Sequence, residues 1–548
     1  MEIMSHRGGP SAHAARAMVP RGRTGAADHR AGWRDRQRTL LVSTLCVAVG
    51  FACYVRLGST RAVDSDGAAQ ALQAWDMLHG NLLLRGWTLS DVSFYTTELP
   101  QYMVVELVRG LRADVVQVAA AMTYTLVLVL AALLARGTAT GPSALVRVLI
   151  TTGIMIAPQA SAGVKVLVSS PDHIGTTAPV LLVWLILDRA PRRWFVPVIA
   201  AVLLGWATVA DTLVLFIGVL PVAAVCAVRI CRALIAERVP LRSLWYEIVL
   251  GAGALIAGVL AEITLRVMRA AGGFVVNPPI AHAHGVTALP HALGVTGRGL
   301  LLLAGADFLG GASQAGAETG IAWLHLAGVV AACLGAAVAM RRYLRDLSLV
   351  DQVLLAAIVI NLAAYVFTTE SSSILATREV VAVLPFSAVL AGRMLADGTL
   401  AIRGALIVLI VLLAGYLAGL GYALARPSVP SANQQLTSWL AAHHLNSGLS
   451  GYWQANVVTL ASAEHIRLRQ ITTIGTRVVP YQWESSSRWY DPRAGSADFV
   501  VLTAGTPEYP GFGDQVAVLA TFGSPARVYH VGPYEVMVWH QNLLDDLR

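Results

Sequence analysis

Long apolar runs separated by short arginine-bearing links fill most of this sequence, and the pattern breaks twice. Runs near 39–56, 114–135, 143–158, 174–187, 195–210, 212–228, 245–265, 321–340, 350–367, 378–396 and 404–425 approach or exceed the ~18 apolar residues that read as a spanning helix. They predict a mainly α, polytopic membrane protein with about eleven transmembrane helices. The first break is a long loop at 57–113, whose segment Asp64–Glu106 is polar, acidic and aromatic. A loop of that length between two spans is unusual unless it carries function. The second break follows residue 426. Alternating runs at Asp498–Thr503 and Tyr534–Trp539, with helical period at Asn433–His444, predict a small α/β domain over 427–548.

The arginines orient this pattern. Residues 1–38 are rich in Arg, Gly, Ala and His, lack an apolar period, and read as a disordered basic tail in the cytoplasm. With that tail inside, the returning links Arg136–Arg147, Arg189–Arg193, Arg229–Arg242, Arg341–Arg345 and Arg393–Arg403 are all cytoplasmic. The opposite links at 158–173, 211 and 367–377 are poor in arginine. The reading is a transmembrane module over 39–426 whose loops 57–113 and 266–320 lie outside, followed by the extracytoplasmic domain. The stretch Leu293–Leu309 would lie along the interface as an amphipathic helix.

Composition agrees: mean hydropathy is +0.62 and 13% of residues are charged, against roughly 25% in a soluble domain. The net charge of +8 is spent on topology and not on nucleic acid. Lys165 is the only lysine, a bias that with the Ala, Gly and Val content suggests a GC-rich bacterial genome. The five cysteines lie in or beside apolar runs without a CxxC pattern and read as small buried hydrophobes.

Ionisable residues gather at the expected outer boundary. Asp66 precedes a helical pattern from Gly67 to His79, so its carboxylate reads as an N-cap or as a general base held at a helix N-terminus. Asp64 is a partner acid or a solvated one, and Asp76 reads as surface. In Thr97–Tyr102 (TELPQY), Glu98 is a helix-start charge or, with Tyr102, lines a site. In Ser169–Thr176 (SSPDHIGT), Pro171 is expected to start a helix with Asp172 and His173 in its first turn, as a cap or as a functional pair. Asp211 sits between two spans on the same side. Lys165 and Arg378 could hold a phosphate, although Arg378 could equally pair with Glu379. His282, His284 and His291 lack a carboxylate cluster or ligand spacing, so no metal is expected.

The run Asp66–Leu78 (DGAAQALQAWDML), followed by Leu99-Pro100, resembles the first outer loop of the GT-C superfamily of membrane glycosyltransferases, especially the aminoarabinose-transferase and protein O-mannosyltransferase type. Asp66 matches the family's Asp, Asp76-Met77-Leu78 the helix end, and Leu99-Pro100 the Pro segment, while Gly67 stands where the family usually has Glu. The resemblance implies inverting transfer of a sugar from a polyprenyl-phosphate donor to a hydroxyl of a glycan, lipid or protein acceptor on the outer face. Asp66 would be the base, with Asp64 or Asp172 as second acid. Lys165, His173 or Arg378 would hold the donor phosphate, with Glu98, Tyr102 and Asp211 lining the site. It implies no cofactor beyond the lipid-linked donor. The competing expectations are a transporter or flippase, which needs polar residues inside the spans, or an inactive GT-C-like envelope-assembly protein, which the missing Glu at Gly67 would suit.

Overall fold

The structure is a computed structural model, which describes residues 25–156, 158, 162–279, 281–308, 316–343, 345, 347–430, 433–503 and 514–547. The chain divides at Gly50 into two compact units, and the cavities and sites described below lie in the second. The helices in chain order are α1 (Gly25–Gly58), α2 (Ser65–Leu78), α3 (Glu98–Arg109), α4 (Val115–Arg136), α5 (Gly141–Met155), α6 (Ala162–Leu167), α7 (Ile174–Arg189), α8 (Phe195–Ala210), α9 (Leu220–Ile235) and α10 (Trp245–Ala270). They continue with α11 (Leu289–Leu303), α12 (Ala317–Arg342), α13 (Leu349–Val366), α14 (Val383–Ala401), α15 (Arg403–Leu424), α16 (Gln434–Ala442), α17 (Tyr452–Ala461) and α18 (Gln515–Phe522). The basic tail expected over 1–38 lies outside the described residues as far as residue 24, and from Gly25 onward it is helical.

Every apolar run read from the sequence is helix, which makes this a multi-pass membrane protein. Among the described residues, nine helical stretches are long and apolar enough to cross a membrane. The set differs from the expected one at four places. Val286–Leu303, which overlaps the Leu293–Leu309 stretch expected at the interface, meets the length and apolarity of a span. Conversely α5, α7 and α8, at 15, 16 and 16 residues, fall short. Sixteen residues rise only about 24 Å, less than the ~30 Å hydrocarbon thickness.

The helices pack through small residues, as they must where lipid supplies no hydrophobic drive for association. A methyl group added at Gly392 of α14 would lie 2.3 Å from the Thr151 hydroxyl of α5, and one at Gly335 of α12 would lie 2.6 Å from the Ala391 backbone. Tyr54 and Tyr124 meet edge to face at 4.9 Å, and their hydroxyls donate to the Ile156 and Met155 carbonyls at the end of α5. Arg393 also ties helices together: its side chain is buried 2.9 Å from Asp188 and 2.6 Å from Asp351, where the end of α7 and the start of α13 meet α14. One expectation fails here. Of the cysteines only Cys226 is buried; Cys46, Cys231 and Cys333 are exposed and Cys53 is intermediate, since an apolar medium permits a thiol on the outside of a helix.

The C-terminal domain is α/β. Strands β1 (Trp87–Leu89) and β2 (Val275–Val276) belong to the loops between helices. The domain itself holds β3 (Ser447–Ser450), β4 (Arg467–Ile474), β5 (Arg477–Pro480), β6 (Ser485–Ser486), β7 (Phe499–Thr503), β8 (Arg527–Val531) and β9 (Tyr534–Val538). Six of these form a mixed sheet in the order β5-β4-β3-β7-β9-β8, with β3 parallel to β4 and β7. Central β7 is buried on both faces: Phe499 and Val501 pack with α16 and α17, Val500 and Leu502 with α18.

A second, three-stranded sheet positions the site. β1 from the first long loop pairs in parallel with β2, which follows α10, and antiparallel with β6 of the C-terminal domain. α17 also docks on α2: the Ser65 hydroxyl donates to the Tyr452 carbonyl at 2.6 Å, and the Asn456 amide donates to the Ser65 oxygen at 3.1 Å.

Candidate active site

The site begins at the N-terminus of α2, where the structure corrects the sequence reading. Asp64, not Asp66, is the N-cap: its backbone is extended and its Oδ1 accepts from the Gly67 amide at 3.0 Å. Asp66, one residue inside the helix, keeps its carboxylate for another use. Its Oδ1 accepts from the Tyr452 hydroxyl at 2.5 Å, and its Oδ2 lies 3.2 Å from Arg378 Nη1. Gly67 is explained by packing. A Cβ there would sit 2.6 Å from Val116 Cγ1 and 3.2 Å from the Ser170 side chain, so this position faces neighbouring chain and not the cavity.

Asp172 and His173 also differ from expectation. α7 starts at Ile174, so both residues precede the helix, and His173 takes a left-handed conformation (φ 57°). That conformation is costly for a non-glycine residue and persists only where its surroundings hold it. Here they do: His173 Nδ1 is 2.8 Å from Asp211 Oδ2 and Nε2 is 3.1 Å from Glu379 Oε1, with Phe94 edge-on at 5.4 Å. Burial disfavours the charged ring, but Glu379 and Asp211 outweigh it and raise its pKa well above the usual value, so His173 is an imidazolium donating from both nitrogens. Asp172 accepts from Gln70 Nε2 at 2.6 Å and from the Ser170 hydroxyl at 2.8 Å. Burial and the charge of Asp66 push its pKa up.

Behind His173 lies Glu98. The Thr176 hydroxyl bridges Glu98, at 3.1 Å, and the His173 partner Asp211, at 3.2 Å, and the Thr97 hydroxyl also bonds Glu98. Burial pushes the Glu98 carboxyl up to about 8, so it is protonated at neutral pH. Gly175 makes room for it, since a Cβ there would lie 2.6 Å from Glu98 Oε1. Gly175→Ala is therefore expected to destabilise the protein by about 1–3 kcal/mol through overpacking. Melting of the detergent-solubilised protein checks this. If packing is the cause, Gly175→Ala combined with Glu98→Ala will melt above the sum of the two single losses.

Asp66, Asp172, His173 and Arg378 converge on one cavity of about 200 Å³. The C-terminal domain and the first loop supply the rest of its wall, including Ser90, Asp91, Phe94, Tyr452, Tyr481, Trp483 and Glu484. Glu484 is buried against the Tyr452 hydroxyl, and burial, with the charge of Asp66, raises its pKa well above the usual range. The Tyr452 hydroxyl stands between the Glu484 and Asp66 carboxyls, within hydrogen-bond reach of both. The sequence reading missed Gln70, although it stands one helical turn after Asp66 in the run already singled out, and it missed Tyr452 and Glu484, which nothing near them in the chain marks. Glu379 was visible beside Arg378, yet it is closer to His173 (3.1 Å) than to Arg378 (3.9 Å).

The remaining candidates lie elsewhere. Asp64 caps α2, and burial with the neighbouring acids Asp66 and Asp172 pushes it up to about 7. Glu98 and Asp211 stand behind His173. Tyr102 is fully buried, its hydroxyl without a hydrogen-bond partner among the described residues. Lys165 is exposed on α6 and does not line the cavity. Asp76, read as surface, accepts from Asn81 at 2.6 Å and from the Trp87 indole at 2.7 Å and so fixes the turn after α2. Among the described residues, no group of three or more His, Cys, Asp or Glu could hold a metal ion.

No family model matches this sequence, and no curated protein matches it. Solved structures do resemble it. ArnT from Cupriavidus metallidurans in the apo state superposes with TM-score 0.52 at 14% identity, covering 94% of this chain and 99% of that one. The same transferase bound to undecaprenyl phosphate gives 0.52 at 11%, covering 91% and 97%. The archaeal oligosaccharyltransferase AglB from Archaeoglobus fulgidus, in complex with an inhibitory peptide and a dolichol-phosphate, gives 0.45 at 12%, covering 83% and 69%. With ArnT matched along almost the whole of both chains, helical module and C-terminal domain together, this protein has the fold of ArnT.

Proposed function

We propose that the protein is a membrane glycosyltransferase that moves a sugar from a polyprenyl-phosphate donor to an acceptor hydroxyl at the outer face of the membrane. The observation that carries this reading is the convergence of Asp66, Asp172, His173 and Arg378 on one cavity of an ArnT-like fold. A second observation supports a lipid donor. An apolar groove of about 500 Å³ runs between α8 and α10, walled by Trp206, Val249, Ile256 and Leu260. Its end is formed by Tyr95 and Thr96, next to cavity residue Phe94, and Thr96 is tied to Trp206 by the indole bond at 2.7 Å. An isoprenoid chain lying there would bring its phosphate to the cavity.

In the proposed step the acceptor oxygen attacks the anomeric carbon as the bond from that carbon to the donor phosphate breaks. The configuration inverts, the acceptor proton passes to Asp66, and the electron pair leaves on the lipid phosphate. Arg378 stabilises the charge that gathers there, exchanging its bond to Asp66 for one to the phosphate. Imidazolium His173 adds positive charge beside it, and Tyr452 aims the Asp66 carboxylate. No resident cofactor is used. In this reading the N-terminus is cytoplasmic and the C-terminal domain outside, which the arginine asymmetry supports. The inactive-scaffold reading loses its main support, because position 67 faces Val116 and Ser170 and its lack of a side chain takes no group from the cavity.

Assay of the purified full-length protein with labelled donors tests the proposal. Sugar should pass from undecaprenyl-phosphate donors with release of undecaprenyl phosphate, and not from nucleotide sugars. Transfer from a nucleotide sugar, or none from any polyprenyl-linked sugar, would sink it.

A further inference from the structure

A second cavity lies apart from the one that holds Asp66. It is formed mainly by the C-terminal domain, with Trp75 of α2 at its edge, and has a volume of about 780 Å³, within the range of about 300–1,000 Å³ typical of small-ligand sites. Three guanidinium groups face it, from Arg467 and Arg469 of β4 and from Arg488 just after β6. Against them stands one acid, Glu464. Residues one and three of a strand point to the same face, which is why Arg467 and Arg469 act together.

Arg469 is built into its position. Its guanidinium stacks on the Trp489 ring at 4.1 Å, and Trp489 is fixed edge-on against Trp87 at 4.8 Å. Its Nη1 is buried and has no hydrogen-bond partner among the described residues. Burial pushes the group down to about 10, so it remains charged at neutral pH. A buried, charged donor without an acceptor is costly unless a ligand supplies one. A guanidinium resting over an indole face leaves N–H groups available for contact with an oxyanion. The rest of the wall mixes neutral polar groups, Asn446, Ser447 and Ser496, which suit hydroxyls, with apolar ones such as Trp75 and Leu544, which suit the faces of sugar rings.

The geometry points to a binding site for an anionic carbohydrate, an oligosaccharide bearing carboxylate or phosphate, on the C-terminal domain. Its oxyanion meets Arg469 together with Arg467 and Arg488, and its hydroxyls meet the neutral wall. The site is separate from the cavity around Asp66 and does not depend on the transferase reading.

Calorimetry on the detergent-solubilised full-length protein tests this with trigalacturonate, maltotriose and inorganic phosphate. Trigalacturonate should bind, with affinity that falls as salt rises. Maltotriose and phosphate should each bind at least about tenfold more weakly, since each lacks one half of the recognition. The double variant Arg467→Gln/Arg488→Gln changes only exposed side chains and should weaken trigalacturonate at least tenfold, as should Arg469→Gln. Absence of trigalacturonate binding at millimolar concentration, equal binding of maltotriose, or unchanged binding in the double variant would overturn the assignment. Equal binding of inorganic phosphate would reduce it to a bare anion site and overturn the carbohydrate.

Discussion

Asp66→Asn should slow sugar transfer by about 10²–10⁴-fold, the contribution expected of a positioned general base. The substitution keeps the shape of the side chain and an oxygen for the Tyr452 hydroxyl, so α2 and its contact with α17 should survive. What it removes is the ability to take a proton and the negative charge facing Arg378 at 3.2 Å. The donor KM should therefore stay level or fall, because Arg378 no longer has to leave a carboxylate to meet the phosphate, and the loss should appear in kcat. Asp172→Asn is the informative comparison. Asp172 already accepts from Gln70 and Ser170, and its pKa is raised, so it is a poorer candidate for the ionised base and should cost less. A full rate in Asp66→Asn with a collapsed rate in Asp172→Asn would move the base to the other carboxylate.

Arg378→Gln is the second large effect, expected to lower kcat by about 10²–10³-fold, as loss of a donor to developing negative charge does elsewhere. Arg378 is half-exposed, reaches Asp66 and Glu379, and lines the cavity beside His173. Arg378→Lys should recover part of the rate, because it keeps the charge and loses the fork. Transfer within threefold of the native rate in Arg378→Gln would remove this residue from the phosphate and leave the charge to His173. Single-turnover measurement separates the step itself from donor binding.

How much of this was legible beforehand follows from what kind of interaction each part depends on. The helices follow from local apolar runs, and their existence needed no partner. β7, β9 and α16 were equally plain, since Phe499–Thr503 and Tyr534–Val538 carry enough β-branched and aromatic side chains to declare themselves. The short helices α5, α7 and α8 were harder: a hydropathy window does not see where the helical hydrogen bonds stop.

Asp66, Asp172, His173 and Arg378 could be singled out because charge beside an apolar run is rare enough to notice. Their arrangement could not be read, because it depends on contacts between distant parts of the chain. Whether Asp64 or Asp66 caps α2 turns on a backbone angle at one residue, and both acids satisfy the same pattern. Tyr452 and Glu484 lie in a different domain from Asp66 and reach it only because β6 pairs with β1 and α17 lies on α2. Hydropathy and arginine placement, by themselves, determined that this is a bundle of membrane helices with acids at one boundary and an α/β domain after it. Only the tertiary structure decided which acid faces the cavity, that His173 is held charged between Asp211 and Glu379, and that the C-terminal domain completes the wall. Burial in water or lipid is a property each segment carries along the chain, whereas a shared proton or an ion pair exists only once two remote segments have been brought within about 3 Å.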